Sequence, residues 1–466
     1  MRERTLVIPG AEHRRLEHHL FPGDGKEAAA ILICARTIGT DGGVKLLARD
    51  SIPIPYSECK RERNRLFWPG QYLDKALEQA DANDRSIVLM HSHPGGYDRF
   101  SELDDASDRE VIPSVFLARR SIFTGAATWH GSAIMLPGGA IRARFYDHHY
   151  NAHAAELVAV YGDDIRFFWG DSALADPRPM AFSDRMTAEL TKLCAAVVGF
   201  SGTGSIVGEQ LLRMGFGQII VVDDDHIEHK NLNRILNSTH AAAESKELKV
   251  NRFKEVAALI RPHTQVKEIP HQLGRVASIR AVADADVIFC CVDSEEGRHL
   301  CDRLAAAMLQ PLFDVGVSIP VRTPARGMVI ANICGRMDYV QPGGPTLLER
   351  GVYSPASLEA EALKKADPFA YADRVREGYM PGSQQEAPSV ISVNMRAASM
   401  AVQEFVARAY PYRLDGNETF SRIEFDLATG EETHCGDDAF LCEDMDWLST
   451  GLEHPLLGLP ALEDQR

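Results

Sequence analysis

Residues 195–208 read AAVVGFSGTGSIVG, and this stretch decides the fold of the second half of the chain. An apolar strand enters a glycine-rich turn, and a helix leaves that turn. Backbone N–H groups at the start of such a helix bind phosphate. The pattern G-x-G-x-x-G falls on Gly199, Ser201 and Gly204, so serine replaces the middle glycine, and Gly202 lies beside it. The stretch therefore predicts a strand–turn–helix unit with a phosphate site.

The residues that follow extend this unit. The strand-like run QIIVV leads into Asp223, 19 residues beyond the last glycine of the pattern, where an acidic side chain meets ribose hydroxyls in βαβ nucleotide folds. The segment NLNR then supplies Asn231, Asn233 and Arg234, whose side chains can hold phosphates. Because strand, loop and helix patterns continue to alternate, we expect a Rossmann-like, mostly parallel, doubly wound α/β domain over 191–415.

A second pattern lies in the N-terminal third, where strand-like runs and one helical stretch predict an α+β domain. Residues 89–104 read LMHSHPGGYDRFSELD. His91 and His93 point to the same side of a strand, and a helix that starts near Ser101 places Asp104 one turn in. Two histidines and one carboxylate, with a fourth position left to water, are typical of catalytic zinc. Each half also has an ordinary interpretation, because HSH is often a surface pair and S-x-x-D resembles a helix cap.

The full spacing H-x-H-x7-S-x2-D resembles the JAMM/MPN (JAB-type) metalloprotease family over about 1–150. Members of this family cleave after the C-termini of ubiquitin-like proteins. The family also places a glutamate just before an early strand, and KEAAAILICAR supplies Glu27 there. The resemblance implies that Glu27 is the general base and that Ser101 helps to stabilise the oxyanion. It implies a zinc ion as cofactor, with the ligands His91, His93 and Asp104.

The later segment resembles the ThiF/MoeB and ubiquitin-activating enzyme family over 185 to about 410. The family pattern D-x-D-x-V-x-x-x-N-L-x-R is matched at 223–234, with isoleucine at the position of the valine. The resemblance implies ATP-dependent adenylation of a C-terminal carboxylate, with Mg²⁺ as a second cofactor. The residues that it assigns to the nucleotide site are Gly199, Gly202, Gly204, Asp223, Asn231, Arg234, Lys249 and Asp293.

Individual roles follow from the same resemblance. Lys249 and Arg234 would neutralise the phosphates and act as catalytic residues, Asp223 would bind the ribose and Asp293 would hold magnesium. Arg298 follows Asp293 at the family's distance. A family arginine before the glycine turn often reaches across a dimer. Its counterpart here is Arg185, so we expect a homodimer through this domain.

Two departures from the family pattern affect the chemistry. Many relatives bind a structural zinc through two CxxC pairs, but Thr346 and Glu349 stand where one pair would be. Relatives that form a thioester carry a cysteine in a segment that we place near 347–385, and this segment contains none. Cys435, next to a histidine at 434, and Cys442 remain as candidates, or are incidental thiols. We therefore expect an acyl-adenylate that is passed to a separate thiol or amine.

The bulk composition narrows the partners and the location. Lys plus Arg is 50 and Asp plus Glu is 66, so the net charge of −16 argues against nucleic acid or an anionic membrane as the main partner. The sequence has no CxxC pair, no apolar signal-peptide core and no run of 18 apolar residues, which indicates a cytoplasmic protein. Proline and polar interruptions predict a connector over 151–190 between the 1–150 and 191–415 domains. An acidic, Pro/Leu-rich stretch predicts a C-terminal tail over 416–466.

The main hypothesis is a bifunctional enzyme of a bacterial ubiquitin-like conjugation module. It hydrolyses the peptide or isopeptide bond after a ubiquitin-like protein ending in Gly-Gly, and it adenylates the carboxylate of that protein. A ubiquitin-conjugating-enzyme-like protein is a possible further partner. One alternative is activation of a sulfur carrier for thiocarboxylate formation in cofactor or metabolite biosynthesis. The other is a non-catalytic binding module, in which Ser201 marks a degenerate nucleotide pocket.

Overall fold

The computed structural model describes residues 2–81, 84–119, 128–174, 176–322, 329–376, 389–452 and 455–465. Their contacts divide the chain into two compact units. The first unit comprises Met1–Arg178 with the short segments Ala307–Leu309 and Trp447–Glu453, and the second comprises the remainder.

In its described residues, the first unit is built on a nine-stranded mixed sheet with three α-helices. The strands lie in the order β11-β10-β1-β3-β2-β6-β7-β8-β9. Their bounds are β1 Arg4–Pro9, β2 Ala29–Ile38, β3 Val44–Pro53, β6 Ser86–Ser92, β7 His130–Met135, β8 Ile141–Tyr146, β9 Ala152–Ala154, β10 Leu157–Tyr161 and β11 Ile165–Trp169, with a separate hairpin of β4 Lys60–Arg61 and β5 Leu66–Phe67. The helices are α1 Gly10–Leu20, α2 Gln71–Asp81 and α3 Glu102–Arg119.

Strand β2 lies at the centre of this sheet and is buried on both faces. Its alternate side chains from Ala30 to Cys34 pack in a core with α1, whereas those from Ala29 to Ile33 pack with α2 and α3. Because successive side chains of a strand point to opposite faces, an apolar run such as AAILICA suits a strand covered on both sides. Strand β2 is therefore covered by helices on both faces.

The predicted connector over 151–190 differs from the structure. Residues in β9, β10 and β11 belong to the sheet of the first unit, and β10 pairs in parallel with β1 over five residues. The run LVAVY is short and apolar, and its partner strand lies about 150 residues earlier, so no local pattern reveals the pairing. The first unit accordingly reaches Arg178.

The second unit contains an eight-stranded sheet in the order β14-β13-β12-β15-β16-β19-β20-β21. Neighbouring strands from β14 to β16 are parallel, and those from β16 to β21 are antiparallel. The strands are β12 Cys194–Val198, β13 Gln218–Val222, β14 Gln265–Ile269, β15 Val287–Cys290, β16 Leu312–Ser318, β19 Cys334–Val340, β20 Arg422–Asp426 and β21 Glu431–Cys435, with β17 Val321–Arg322 and β18 Val329–Ile330 apart. The predicted fold class, mixed α/β with a parallel-rich Rossmann-like second domain, is confirmed.

The helices of the second unit connect these strands. They are α4 Asp184–Leu190, α5 Gly202–Met214, α6 His240–Glu244, α7 Lys249–Ile260, α8 Val276–Ala283, α9 Glu295–Met308, α10 Pro355–Ala366, α11 Pro368–Arg376 and α12 Ile391–Ala409. Within the described ranges, no helix is both long and apolar enough to cross a bilayer.

The predicted tail over 416–466 also differs from the structure. Its first part forms β20 and β21, which extend the sheet of the second unit. A later part packs against β3 of the first unit, where the Ser449 hydroxyl donates to the Leu47 carbonyl oxygen at 2.9 Å. The acidic composition does not reveal these ordered segments, because β20 joins the sheet by pairing with β19, which lies far earlier in the chain.

Candidate metal centre and nucleotide cavity

The candidate metal centre lies where β6 ends and α3 begins. His91 is on β6 and His93 follows it, and the backbone N–H of His93 donates to the Met135 carbonyl oxygen at 2.8 Å. Asp104 lies in the first turn of α3. The Ser101 N–H donates to the Asp104 Oδ2 at 2.6 Å and the Asp104 N–H to the Ser101 Oγ at 3.2 Å. The S-x-x-D segment is thus a helix cap that also positions the carboxylate.

The three predicted ligands converge. The His91 Nε2 lies 3.1 Å from the His93 Nε2 and 3.0 Å from the Asp104 Oδ1. The His93 Nε2 lies 3.4 Å from the Asp104 Oδ2. The Nδ1 of His93 lies 2.8 Å from the Tyr97 carbonyl oxygen, which accepts its proton and leaves Nε2 free as a ligand. Two imidazole nitrogens and a carboxylate facing one another are a donor set that fits zinc.

Glu27 lies beside these three side chains in a buried position. It is 8% exposed, and its backbone is held by the Glu62 carbonyl oxygen and the Arg61 guanidinium. Burial raises the pKa of the Glu27 carboxyl, while His91 and His93 act in the opposite direction. A carboxyl with a raised pKa is the better proton acceptor near neutral pH. The predicted base therefore lies next to the cluster, and its catalytic role stays a prediction.

The second candidate site is a cavity of about 670 Å³ at the carboxyl ends of the parallel strands. Glycine is required in the turn at its edge. Gly199 has φ +83°, and a Cβ on Gly204 would stand 1.9 Å from the Gly199 carbonyl oxygen. Ser201 has φ −102°, outside the left-handed region, so a positive φ does not require glycine at the position of the middle glycine. Most of the predicted nucleotide residues line the cavity, namely Gly199, Gly202, Asp223, Asn231, Arg234, Lys249 and Asp293.

The buried cation of this cavity, Lys249, forms ion pairs with two aspartates. The Lys249 Nζ lies 2.7 Å from the Asp225 Oδ2 and 3.3 Å from the Asp223 Oδ1, and Lys249 is buried. Asp223 also accepts the N–H of Phe200 at 2.6 Å. Burial raises the pKa of Asp223, and the Lys249 ammonium opposes that shift. A buried ammonium at the first residue of α7 is placed to neutralise an anion that enters the cavity.

Comparison with known protein families supports the division into two units. The model of the prokaryotic homologs of the JAB domain matches residues 11–137, and the model of the ThiF family matches residues 177–343. The chain joins a JAB-type domain to a ThiF-type domain. The predicted resemblances are confirmed at this level, whereas zinc binding and the individual residue roles stay predictions.

Curated relatives match only a part of the chain. Ubiquitin-like modifier-activating enzyme 5 of Bombyx mori is 25% identical over 166 residues, which are 33% of this chain and 39% of that protein. The adenylyltransferase and sulfurtransferase UBA4 of Candida glabrata is 32% identical over 116 residues, 25% of this chain and 26% of that protein. A solved structure of MccB from E. coli is 14% identical, with a TM-score of 0.43, covering 56% of this chain and 68% of that one. The chain spans less than half the length of these curated relatives.

The ThiF-type domain contains a second cavity of about 480 Å³ over the antiparallel part of its sheet. Arg298 and Val317 line both this cavity and the nucleotide cavity. Glycines at 316 and 335 on the neighbouring strands β16 and β19 contribute to its wall. The two cavities therefore border on each other at these two side chains.

Four thiols of the ThiF-type domain bear on thioester formation. Cys291 lines the nucleotide cavity and Cys334 lines the second cavity, while the candidates Cys435 and Cys442 line neither. Burial raises the pKa of each of the four, and nearby carboxylates raise those of Cys334 and Cys442 further. Since the thiolate is the nucleophile, a raised pKa lowers the reactive fraction of each of these thiols near neutral pH.

The segment that lacks the CxxC pair is held together by side chains instead. The Thr346 hydroxyl and N–H both donate to the Glu349 Oε2, at 2.9 and 2.7 Å. Over the described parts of the chain, neither residue belongs to a cluster of three or more groups that could hold a metal. At the place where relatives have a CxxC pair, the side chains of Thr346 and Glu349 therefore cap a turn.

Three residues that the sequence suggested for the nucleotide site or its dimer do not line the cavity. Gly204 supports the turn without lining the cavity, and neither Arg185 nor Asn233 lines it; the Asn233 amide donates to the Ser389 carbonyl oxygen at 2.9 Å. Asn394 on α12 lines the cavity and was not predicted from the sequence. A Cβ on Gly202 would stand 2.1 Å from its Nδ2. No local motif reveals this residue, because it packs on a turn about 190 residues earlier.

The magnesium expectation concerns Asp293, which over the described ranges does not belong to a cluster of three or more possible metal ligands. Asp293 lines the cavity after β15, but the acidic residues whose oxygens lie within 4.8 Å of one another are Asp223, Asp224 and Asp225, among the residues that the structure describes. Magnesium binding at Asp293 therefore remains an expectation in which ATP phosphates supply further ligands.

Proposed function

We propose that the JAB-type domain hydrolyses the bond after a ubiquitin-like C-terminus and that the ThiF-type domain adenylates such a C-terminus. Convergence of His91, His93 and Asp104 next to the buried Glu27 carries the first activity. The second is supported by the match to the ThiF family and by a cavity that brings Arg234, Lys249 and Asp293 together.

In the first reaction, zinc would be held by the two imidazoles and by the Asp104 carboxylate. Bound zinc would supply Lewis-acid chemistry for hydrolysis. Glu27 would accept the proton of the attacking water and pass it to the leaving amine, a transfer for which its raised pKa is suited. Ser101, at the start of α3, would donate to the developing oxyanion.

In the second reaction, the carboxylate attacks the α-phosphorus of ATP and pyrophosphate leaves. The N–H groups at the start of α5 and the side chains of Arg234 and Lys249 would bind the phosphates. Asp223 would accept hydrogen bonds from the ribose hydroxyls. Entry of the phosphates would draw Lys249 away from Asp225, which is exposed and can remain charged in water. Magnesium at Asp293 would neutralise further phosphate charge.

The carrier is proposed to be a ubiquitin-like protein whose last residues, ending in Gly-Gly, lie along the second cavity. Arg298 and Val317 are shared by both cavities, so such a tail can place its carboxylate at the nucleotide. The raised thiol pKa values support release of an acyl-adenylate to a separate acceptor, including a ubiquitin-conjugating-enzyme-like protein. A homodimer would add the Arg185 of a second copy.

The match to UBA4 favours one second candidate, activation of a sulfur carrier. In that case the acyl-adenylate reacts with a sulfur donor and becomes a thiocarboxylate. Mass spectrometry of the carrier after incubation with ATP, magnesium and sulfide separates the two outcomes, because a thiocarboxylate replaces one oxygen atom by sulfur.

Adenylation is tested by ATP–pyrophosphate exchange with the full chain, magnesium and a ubiquitin-like protein ending in Gly-Gly. Exchange is expected to depend on the carrier and to disappear when its two terminal glycines are removed. A nucleotide-binding module without activity would show no exchange above background. A reductant-sensitive covalent adduct on this chain would contradict the proposal that it forms no thioester.

Zinc binding is tested by the metal content of the freshly isolated chain. We expect about one zinc per chain. The substitution His93→Ala removes a buried ligand and is expected to abolish that content. His153→Ala is the matched control, since His153 pairs with Asp147 away from the cluster and should retain the metal. Metal-free wild-type protein would contradict the proposed centre.

A further inference from the structure

Two arginines on β8 hold the chain segment that separates the candidate metal ligands. Side chains of a strand alternate between its faces, so Arg142 and Arg144 share one face, while Ile141, Ala143 and Phe145 point into a core on the other. The segment that they contact runs from residue 98 to the first turns of α3. It therefore includes Ser101 and the ligand Asp104.

Arg142 contacts the beginning of that segment. Its Nε donates to the Asp98 carbonyl oxygen at 2.7 Å, and its other nitrogens donate to the carbonyl oxygens of Gly170 and Ser172 at 2.8 and 2.9 Å. Three carbonyl acceptors from two chain segments fit the planar, five-donor geometry of guanidinium.

Arg144 contacts the residues on both sides of Asp104. Its guanidinium lies 3.9 Å from the ring centroid of Phe100 and donates to the Asp105 Oδ1 at 2.5 Å. It also donates to the Asp108 Oδ2 at 2.7 and 3.0 Å. The Arg144 guanidinium thus contacts Phe100 shortly before the helix, Asp105 in its first turn and Asp108 one turn later.

We propose that Arg144 is a positioning residue for the metal centre, because it sets the place of the Asp104 carboxylate relative to the two imidazoles. This inference rests on the proposed zinc site. His91 is fixed by β6, and His93, directly after that strand, is held through its backbone N–H by Met135, whereas the carboxylate is on a helix that must be docked separately. The Arg144 guanidinium provides this docking contact, because it binds carboxylates in the first two turns of the helix. Groups that orient metal ligands typically change metal affinity about 10- to 100-fold when they are lost.

A purely structural role for the network around Asp108 is the competing explanation. Tyr146 separates the two explanations, because its hydroxyl donates to the Asp108 Oδ2 at 2.7 Å. Tyr146→Phe therefore removes a buried hydrogen bond from the same carboxylate without removing any contact that Arg144 makes to Phe100 or Asp105. Asp105→Asn removes the negative charge that pairs with Arg144 in the first turn of α3. Because the Asp105 side chain is half-exposed, losing this pair has little effect on stability.

The experiment measures the zinc dissociation constant of the metal-stripped full chain by competition with a chromophoric chelator, together with thermal unfolding of the zinc-free form. Arg144→Gln is expected to weaken zinc binding about 10- to 100-fold, and Asp105→Asn to weaken it by a smaller factor. Tyr146→Phe is expected to change the constant less than about twofold even where it lowers the unfolding temperature.

Equal weakening by Arg144→Gln and Tyr146→Phe would overturn the proposal in favour of a general packing effect. If Arg144→Gln does not fold, Asp105→Asn decides, and an unchanged constant in that variant overturns the proposal. Failure of the unaltered chain to bind zinc is a separate result, which removes the metal centre itself and this inference with it.

Discussion

Replacing Glu27 by Gln is expected to leave zinc bound and to lower hydrolysis of a ubiquitin-like fusion by about 10²- to 10⁴-fold. Glutamine has the shape of glutamate but cannot accept a proton from water and pass it to the leaving amine. The ligands His91, His93 and Asp104 remain unchanged. The measurements are the hydrolysis rate on a ubiquitin-like protein with a C-terminal extension and the zinc content of the same preparation.

Glu62→Gln is the matched control for this variant. Glu62 is exposed, and its backbone carbonyl oxygen accepts the N–H of Glu27, a contact that the substitution keeps. Hydrolysis by the control should therefore equal that of the wild type. Full activity of Glu27→Gln would refute the assignment of the base, and loss of zinc from it would show that Glu27 has a structural role instead.

Replacing Lys249 by Met is expected to lower ATP–pyrophosphate exchange by about 10²- to 10³-fold, the usual effect of losing one group that stabilises transition-state charge. Methionine keeps most of the apolar stem and removes the ammonium that lies between Asp223 and Asp225. Without it, a phosphate would approach two carboxylates. Exchange rates at saturating ATP and carrier, with thermal unfolding in parallel, provide the measurement.

Lys254→Met is the control on the same helix, because Lys254 is half-exposed and pairs with Glu268. Breaking the buried pair of Lys249 can itself cost about 3–5 kcal/mol of stability, so a second variant is needed. Arg234→Met removes a cavity cation that donates to the Lys230 carbonyl oxygen and that forms no ion pair among the described residues. Normal exchange in both folded variants would exclude the proposed phosphate site.

Much of both sites could be predicted from short segments. His91 lies near the end of β6, His93 follows that strand, and Asp104 lies in the first turn of the next helix, so one short segment contains the whole ligand set, although not the packing of that helix. The glycine turn after β12 is equally local. In contrast, the boundary expectations at 150 and 416 differ from the structure, since β10 and β20 read as weak strands and take their partners from distant segments.

By itself, the sequence determined the types of side chain available to each site and the elements that carry them, because strand alternation, helix caps and glycine turns act over a few residues. Tertiary structure alone decided which distant groups meet these elements. The N–H of Ala28, next to Glu27, reaches the Ser92 hydroxyl 64 residues later because β2 pairs with β6. Arg144 binds the start of α3, and Asn394 packs on Gly202. Both are likewise contacts between residues that are distant in the sequence. Such contacts depend on strand order and on the packing of whole helices, for which no short stretch of sequence holds the information.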